Sequence, residues 1–177
     1  MTLAILILIS IMWLPAGLFF LGYGEAKTAG FLCAVVGILT VAGGFFNAAT
    51  GDAFGAGALL VFGVLYLQTA HAFLSGAEDL RTVGNGALLV AIVCAIYAYI
   101  YATGGAPSGK PDGSLLVAKV PYLSFMFTTF TAICLMVTGV TYGKVSGKLL
   151  GVTFIILTFT GLLAPAIGLL AYGKLPF

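Results

Sequence analysis

The chain has 177 residues, of which 62% are hydrophobic and only 7% charged, and its mean hydropathy is +1.20. A soluble domain carries about 25% charged residues, so this composition cannot clothe a water-facing surface and reads as an integral membrane protein. A net charge of +2 leaves no electrostatic footprint for nucleic acid.

The apolar runs are long and continuous rather than alternating, which favours membrane helices over a barrel. The N-terminus is apolar at once, without a basic region or a small-residue cleavage site, and reads as a retained first span. That span covers residues 2–21, with Pro15 inside it, and the loop 22–27 follows. The second, 28–49, is rich in small residues: Gly37, Ala42, Gly43, Gly44 and Ala48. Thr50-Gly51-Asp52 turns into the third, 53–76. The fourth, 83–103, ends in Tyr97, Tyr99 and Tyr101, which read as an interfacial belt. Residues 104–114 are turn chemistry throughout and too short to form a domain, so one domain is expected. The fifth span, 120–142, turns through 143–148 into the sixth, 149–172, where Pro165 marks a kink. Short loops force neighbouring spans to run antiparallel, so the expected fold is all-α, a six-transmembrane-helix bundle with up-down topology.

Six spans place both termini on one side, together with Lys110, Lys119 and Lys174; the other side holds Lys27, Arg81, Lys144 and Lys148. The positive-inside rule leans, four against three, towards termini outside.

The third span is unusual in its second half, which carries Tyr66, Gln68, Thr69 and His71, the single histidine of the chain. On a helix Tyr66 and Thr69 share one face, and Gln68 and His71 an adjacent one. Polar groups are expensive in lipid and turn to the bundle interior, a partner or water. The charge cluster Glu78, Asp79, Arg81 follows at once. No span holds Asp, Glu, Lys or Arg away from its ends, which counts against ion-coupled carriers and proton pumps. There is no phosphate-binding loop, nucleophile elbow, metal-binding histidine pair or haem-ligating pair, so neither enzyme chemistry, a metal nor a cofactor is expected. Cys33, Cys94 and Cys134 sit mid-span and read as small buried hydrophobes.

On the fifth span Ser124, Thr128, Thr131 and Thr138 recur on one face, and on the sixth Thr153 and Thr160 do the same. Such hydroxyls either bond back to the i−4 carbonyl and tie helices together, or line a narrow path for a small hydrogen-bonding solute. His71 is read either as a gate or as an interhelical donor. The sequence leaves both alternatives open.

Several short motifs, in order, are similar to those of the AmiS/UreI urea-channel and amide-transporter family. They are Ala16-Gly17-Leu18, Glu25-Ala26-Lys27-Thr28 and Val36-Gly37; then Leu59 to Leu67, reading Leu-Leu-Val-Phe-Gly-Val-Leu-Tyr-Leu, and the turn from Gly76 to Arg81, one residue longer than the family's. Leu88 to Ile92, Gly147-Lys148 and Pro165-Ala166 complete the series, and the likeness covers nearly the whole chain. The resemblance implies a six-span channel in a prokaryotic inner (plasma) membrane, assembled as a homo-oligomeric ring of six in lipid, each protomer with its own pore for a small neutral solute.

Urea channels of that family are narrowed by tryptophans on the fifth span and an acid on the sixth. Counting from Lys148 places the aromatic positions near Thr129 and Ile133; counting from Pro165 places the acid near Leu157. These three residues lack that chemistry, and the single tryptophan, Trp13, lies on the first span. The resemblance therefore implies a more apolar filter, with Phe62 and Tyr66 as lining, and without the histidine-rich segments of acid-gated members. The leading expectation is a passive channel for short amides or urea, lined by Phe62, Tyr66, Gln68, Thr69, Ser124, Thr128, Thr129, Thr131, Ile133 and Leu157. A channel or exporter for a more apolar or weak-acid solute, and a non-transporting scaffold subunit, are the alternatives.

Overall fold

A computed structural model describes residues 2–110 and 113–173; Lys174, counted above on the terminus side, lies outside the described residues, as do Pro111 and Asp112. The helices are α1 (Thr2–Phe20), α2 (Ala26–Ala49), α3 (Ala53–Ser75), α4 (Arg81–Thr103), α5 (Pro121–Thr141), α6 (Gly147–Leu157) and α7 (Ala164–Tyr172). A π-helical turn, Thr158–Leu163, joins α6 to α7 into one long rod. Among the described residues there is no strand, only an isolated bridge between Pro107 and Leu115. Helices α2 to α5 and the rod Gly147–Tyr172 are each long and apolar enough to cross a membrane, and Ala4–Phe20 is a shorter apolar stretch.

The helix ends fall where cap chemistry puts them. Asp52 accepts the Gly55 N–H at 2.8 Å and caps α3, as short carboxylates do at helix starts. Gly76, expected inside that span, is its left-handed C-cap at φ 69°, a conformation glycine reaches without a Cβ clash. In the turn that follows, Arg81 grips Asp79 at 2.6 Å and holds the Asp79 carboxyl down to about 2. A depressed carboxyl contributes above its ordinary range and loses that contribution as pH falls through the folded value. This exposed pair therefore survives mild acid intact.

Of the three tyrosines expected as a belt at the end of α4, Tyr97 and Tyr101 are half-buried and pack between helices. Tyr97 donates to the Phe54 carbonyl at 2.8 Å and stacks on the Phe54 ring at 4.1 Å, while Tyr101 stacks on Phe127. Only Tyr99 of the three is exposed.

The rods neighbour one another in chain order, and α1 closes the ring by packing on α6. Without a hydrophobic drive between helices in lipid, close backbone approach must hold them, and small residues permit it. On α2, Gly30, Gly37 and Gly44 recur every seven residues and meet Phe73, Leu67 and Leu60 of α3 in descending order. The two helices thus run in opposite directions. Between α4 and α5, Gly84 meets Thr141, and Thr138 donates to the Gly84 carbonyl at 2.9 Å. The ring closes at Gly17 and Gly151, where a Cβ on Gly151 would stand 2.7 Å from the Gly17 carbonyl oxygen.

The last rod breaks one turn before Pro165. Proline has no N–H to offer the carbonyl four residues back, here Gly161. The Tyr122 hydroxyl donates to that carbonyl at 3.1 Å, so the polar group is satisfied from α5 within the bundle.

Gly151→Ala must push α1 from α6 and is expected to destabilise the fold by about 1–3 kcal/mol. Gly147→Ala is the control, since its Cβ would meet only the Phe20 ring, at 3.6 Å. Thermal unfolding in detergent should separate the two; equal melting points would show that the ring does not close through this contact.

Candidate functional site

Three helices present one continuous face to the axis of the ring. On α3 it runs Gly55, Leu59, Phe62, Tyr66, Thr69, Phe73; on α5, Leu123, Phe127, Phe130, Cys134, Val137, Thr141; on α1, Ile9, Trp13, Ala16, Phe20. Steps of three and four keep these residues on one side of each helix. Two cavities lie along this axis. One, of about 210 Å³, sits at the Asp52 and Tyr101 end; the other, of about 100 Å³, runs from Trp13 and Tyr66 towards Phe73, Leu80 and Thr141.

Phe62 and Phe130 belong to both cavities and separate them. Their rings meet edge to face with centroids 4.9 Å apart. Trp13 buttresses the pair, edge to face with Phe130 at 5.5 Å and with Phe154 at 5.0 Å. The two rings close the space between the cavities.

The wall of the smaller cavity is almost wholly apolar. Its oxygen atoms belong to Tyr66, Thr69 and Thr141, and its sulfur atoms to Met12, Cys33 and Cys134. Thr69 spends its proton on the Leu65 carbonyl at 2.9 Å, and Thr141 on the Thr138 carbonyl at 2.8 Å. The Tyr66 hydroxyl is buried with no hydrogen-bond partner; the Trp13 indole lies close by without hydrogen-bond geometry. An unpaired buried hydroxyl is costly; Tyr66 shares that state with Thr40, and of the two only Tyr66 lines a cavity. Asp52 is the one charged side chain in either wall among the described residues, and its carboxylate is committed to Gly55 N–H and to Asn47 at 3.2 Å.

The structure gathers Phe62, Tyr66, Thr69 and Ile133 at the smaller cavity. Thr129 and Leu157 line a separate void of about 10 Å³ on another side of Trp13. The remaining sequence candidates lie elsewhere. Gln68 donates to the Thr82 carbonyl at 2.9 Å and fills the space beside Gly86, tying α3 to α4. Ser124 donates to the Ala98 carbonyl at 2.8 Å, again on the α4 side. Thr128, which is exposed, and Thr131 bond back to the carbonyls of Ser124 and Phe127. His71 is exposed on α3 and makes no hydrogen bond among the described residues. Trp13, Phe130, Cys33 and Cys134 line the cavity without having been singled out for it; the apolar three-four period on α1 and α5 is the signal that marks them.

A closed ring of apolar helices, five of them long enough to cross a membrane, defines a polytopic membrane protein. The chain belongs to the AmiS/UreI family of transporters, whose description fits residues 1–172. Among solved structures it is similar to the Helicobacter pylori urea channel, in a closed-state cryo-EM structure (TM-score 0.80) and a crystal structure (TM-score 0.79). Identity is 20% in each case, and the match covers 99% of this chain and 100% of the other. At this identity the likeness speaks for the fold. No curated protein matches the chain.

Phe130→Ala removes the ring that touches Trp13, Phe62 and Phe127 and merges the two cavities. It is expected to cost about 3–5 kcal/mol, whereas Phe125→Ala, on the exposed side, should leave the melting temperature nearly unchanged. A similar loss for both would mean that the septum is not packed as described.

Proposed function

We propose that this protein is a passive channel for small neutral solutes, short amides or urea, with the path along the axis of each protomer. The observation that carries the reading is the pair of axial cavities divided only by the Phe62 and Phe130 rings. Side chains in the walls offer few hydrogen bonds and no cation among the described residues, so ions meet a desolvation barrier that neutral molecules largely avoid. Acetate, which would need a positive partner inside, is disfavoured on the same ground. The rods are taken as six spans in up-down order in a prokaryotic inner membrane, termini outside. The apolar side chains exposed on α2 and α4, such as Phe45, Phe46, Leu89 and Ile92, face lipid or sister protomers in a homo-oligomeric ring of six.

Trp13 is the single tryptophan and only 3% exposed, so its emission reports on the smaller axial cavity and the small void beside it. Acrylamide, itself a small neutral amide and a contact quencher, is expected to quench Trp13 in proteoliposomes, and iodide is not. If acrylamide leaves the emission untouched, the cavity is not connected to water and the channel reading fails.

Histidine is the side chain type that ordinarily changes charge between pH 5 and 8, and His71 stands away from both cavities. The Asp79 to Arg81 turn, with its carboxyl held near 2, also stays charged in that window. Flux measured by stopped-flow reswelling should therefore be flat from pH 5 to pH 8, and His71→Gln should match the parent. A rise of severalfold on acidification would reveal a gate that this path does not contain.

A further inference from the structure

The larger cavity holds a combination that the passage of neutral solutes does not use, a carboxylate set among aromatic rings. Phe62, Tyr101, Phe127 and Phe130 line it. Their contacts run from the Tyr101–Phe127 stack at 5.7 Å, through the edge-to-face pair Phe127–Phe130 at 6.0 Å, to Phe62. Asp52, which is exposed, stands at the other end of the wall. Gly55 lines the same wall, and a Cβ there would collide with the Asp52 carboxylate. The charge thus takes the place of a side chain on the cavity side of α3. Its oxygens accept one bond from the Gly55 N–H and one from the Asn47 amide, out of roughly four that a carboxylate can accept. The Tyr101 hydroxyl lies within electrostatic reach of it and makes no hydrogen bond among the described residues. No Lys, Arg or His among the described residues lines this wall.

An unneutralised carboxylate beside aromatic faces attracts a cation. A hard metal ion needs several oxygen ligands to replace its water, and this wall offers few. A guanidinium group is flat and weakly hydrated, stacks on rings and forks onto carboxylates. We infer that the larger cavity is a binding site for a small organic cation of the guanidinium class, held between the Asp52 carboxylate and the Tyr101 and Phe127 rings. The cation plugs the axis there, because the apolar pair Phe62 and Phe130 lies beyond it. The site stands apart from neutral-solute passage; the plugging rests on the axial path proposed above.

Methylguanidinium and N-methylurea share one non-hydrogen skeleton and differ in charge, which makes them the probes. Isothermal titration of the detergent-solubilised protein with methylguanidinium chloride, at ionic strength held constant with sodium chloride, is expected to show saturable binding in the millimolar range. N-methylurea should bind about tenfold more weakly or less. Asp52→Asn keeps an oxygen to cap α3 and removes the charge; it is expected to weaken methylguanidinium binding by about tenfold and to leave the response to N-methylurea unaltered. In proteoliposomes the cation should slow acetamide reswelling, with half-block at its calorimetric Kd. Absence of saturation, equal affinity for the two probes, or an affinity unmoved by Asp52→Asn overturns the site. Acetamide flux that persists at saturating methylguanidinium overturns the plug. Absence of protein-dependent flux before the cation is added refutes the channel reading instead, and the calorimetric site stands without it.

Discussion

Everything in this molecule depends on two glycine backbones touching. Gly17 and Gly151 bring α1 against α6 so closely that neither tolerates a Cβ, and that approach turns a row of helices into a ring. Were the ring open, the faces of α1, α3 and α5 that now enclose the axial cavities would have to find lipid or each other. The same device recurs between α2 and α3, where three glycines a heptad apart each receive a large side chain. In a chain with so few charges, dispersion at short range and scattered hydroxyl-to-carbonyl bonds replace the ion pairs and water-driven burial of a soluble fold.

Close packing outside goes with looseness inside. The glycine seams draw the backbones together on the circumference, while bulky rings on the axis cannot interdigitate completely and leave space at both sides of Phe62 and Phe130. The septum is thus a by-product of ring size as much as of sequence. Trp13 fixes it from α1, contacting Phe130 on one side and Phe154 on the other.

The rods were legible because hydropathy and turn residues mark them directly; every helix end lies within a few residues of its expected place. The family was legible from short motifs whose order survives. The lining of the axial cavities was only half legible. Hydroxyl periodicity on α5 drew attention to Ser124, Thr128 and Thr131, yet a threonine on a helix most easily satisfies itself on its own i−4 carbonyl, as Thr128 and Thr131 do, while Ser124 bonds to α4. Gln68 likewise serves the α3–α4 seam. The axis is written instead in the apolar period of α1, α3 and α5, which is hard to tell from an ordinary buried face because it is one. Tyr66 stands out only once its hydroxyl is seen to lack a partner.

The π turn at Thr158–Leu163 has a consequence for counting. A π turn holds an extra residue relative to an α-helix, so positions upstream of it are rotated by about 100° from where a count back from Pro165 would aim them. Leu157, reached by that count, lines the small void beside Trp13, while Phe154, a turn earlier, reaches the axial cavity. Any residue-by-residue alignment that pins this rod at its proline will be out of phase over α6. One that pins it at Lys148 will be out of phase over α7. The two halves of the rod have to be aligned as separate pieces before the role of any position on one can be carried across to a relative.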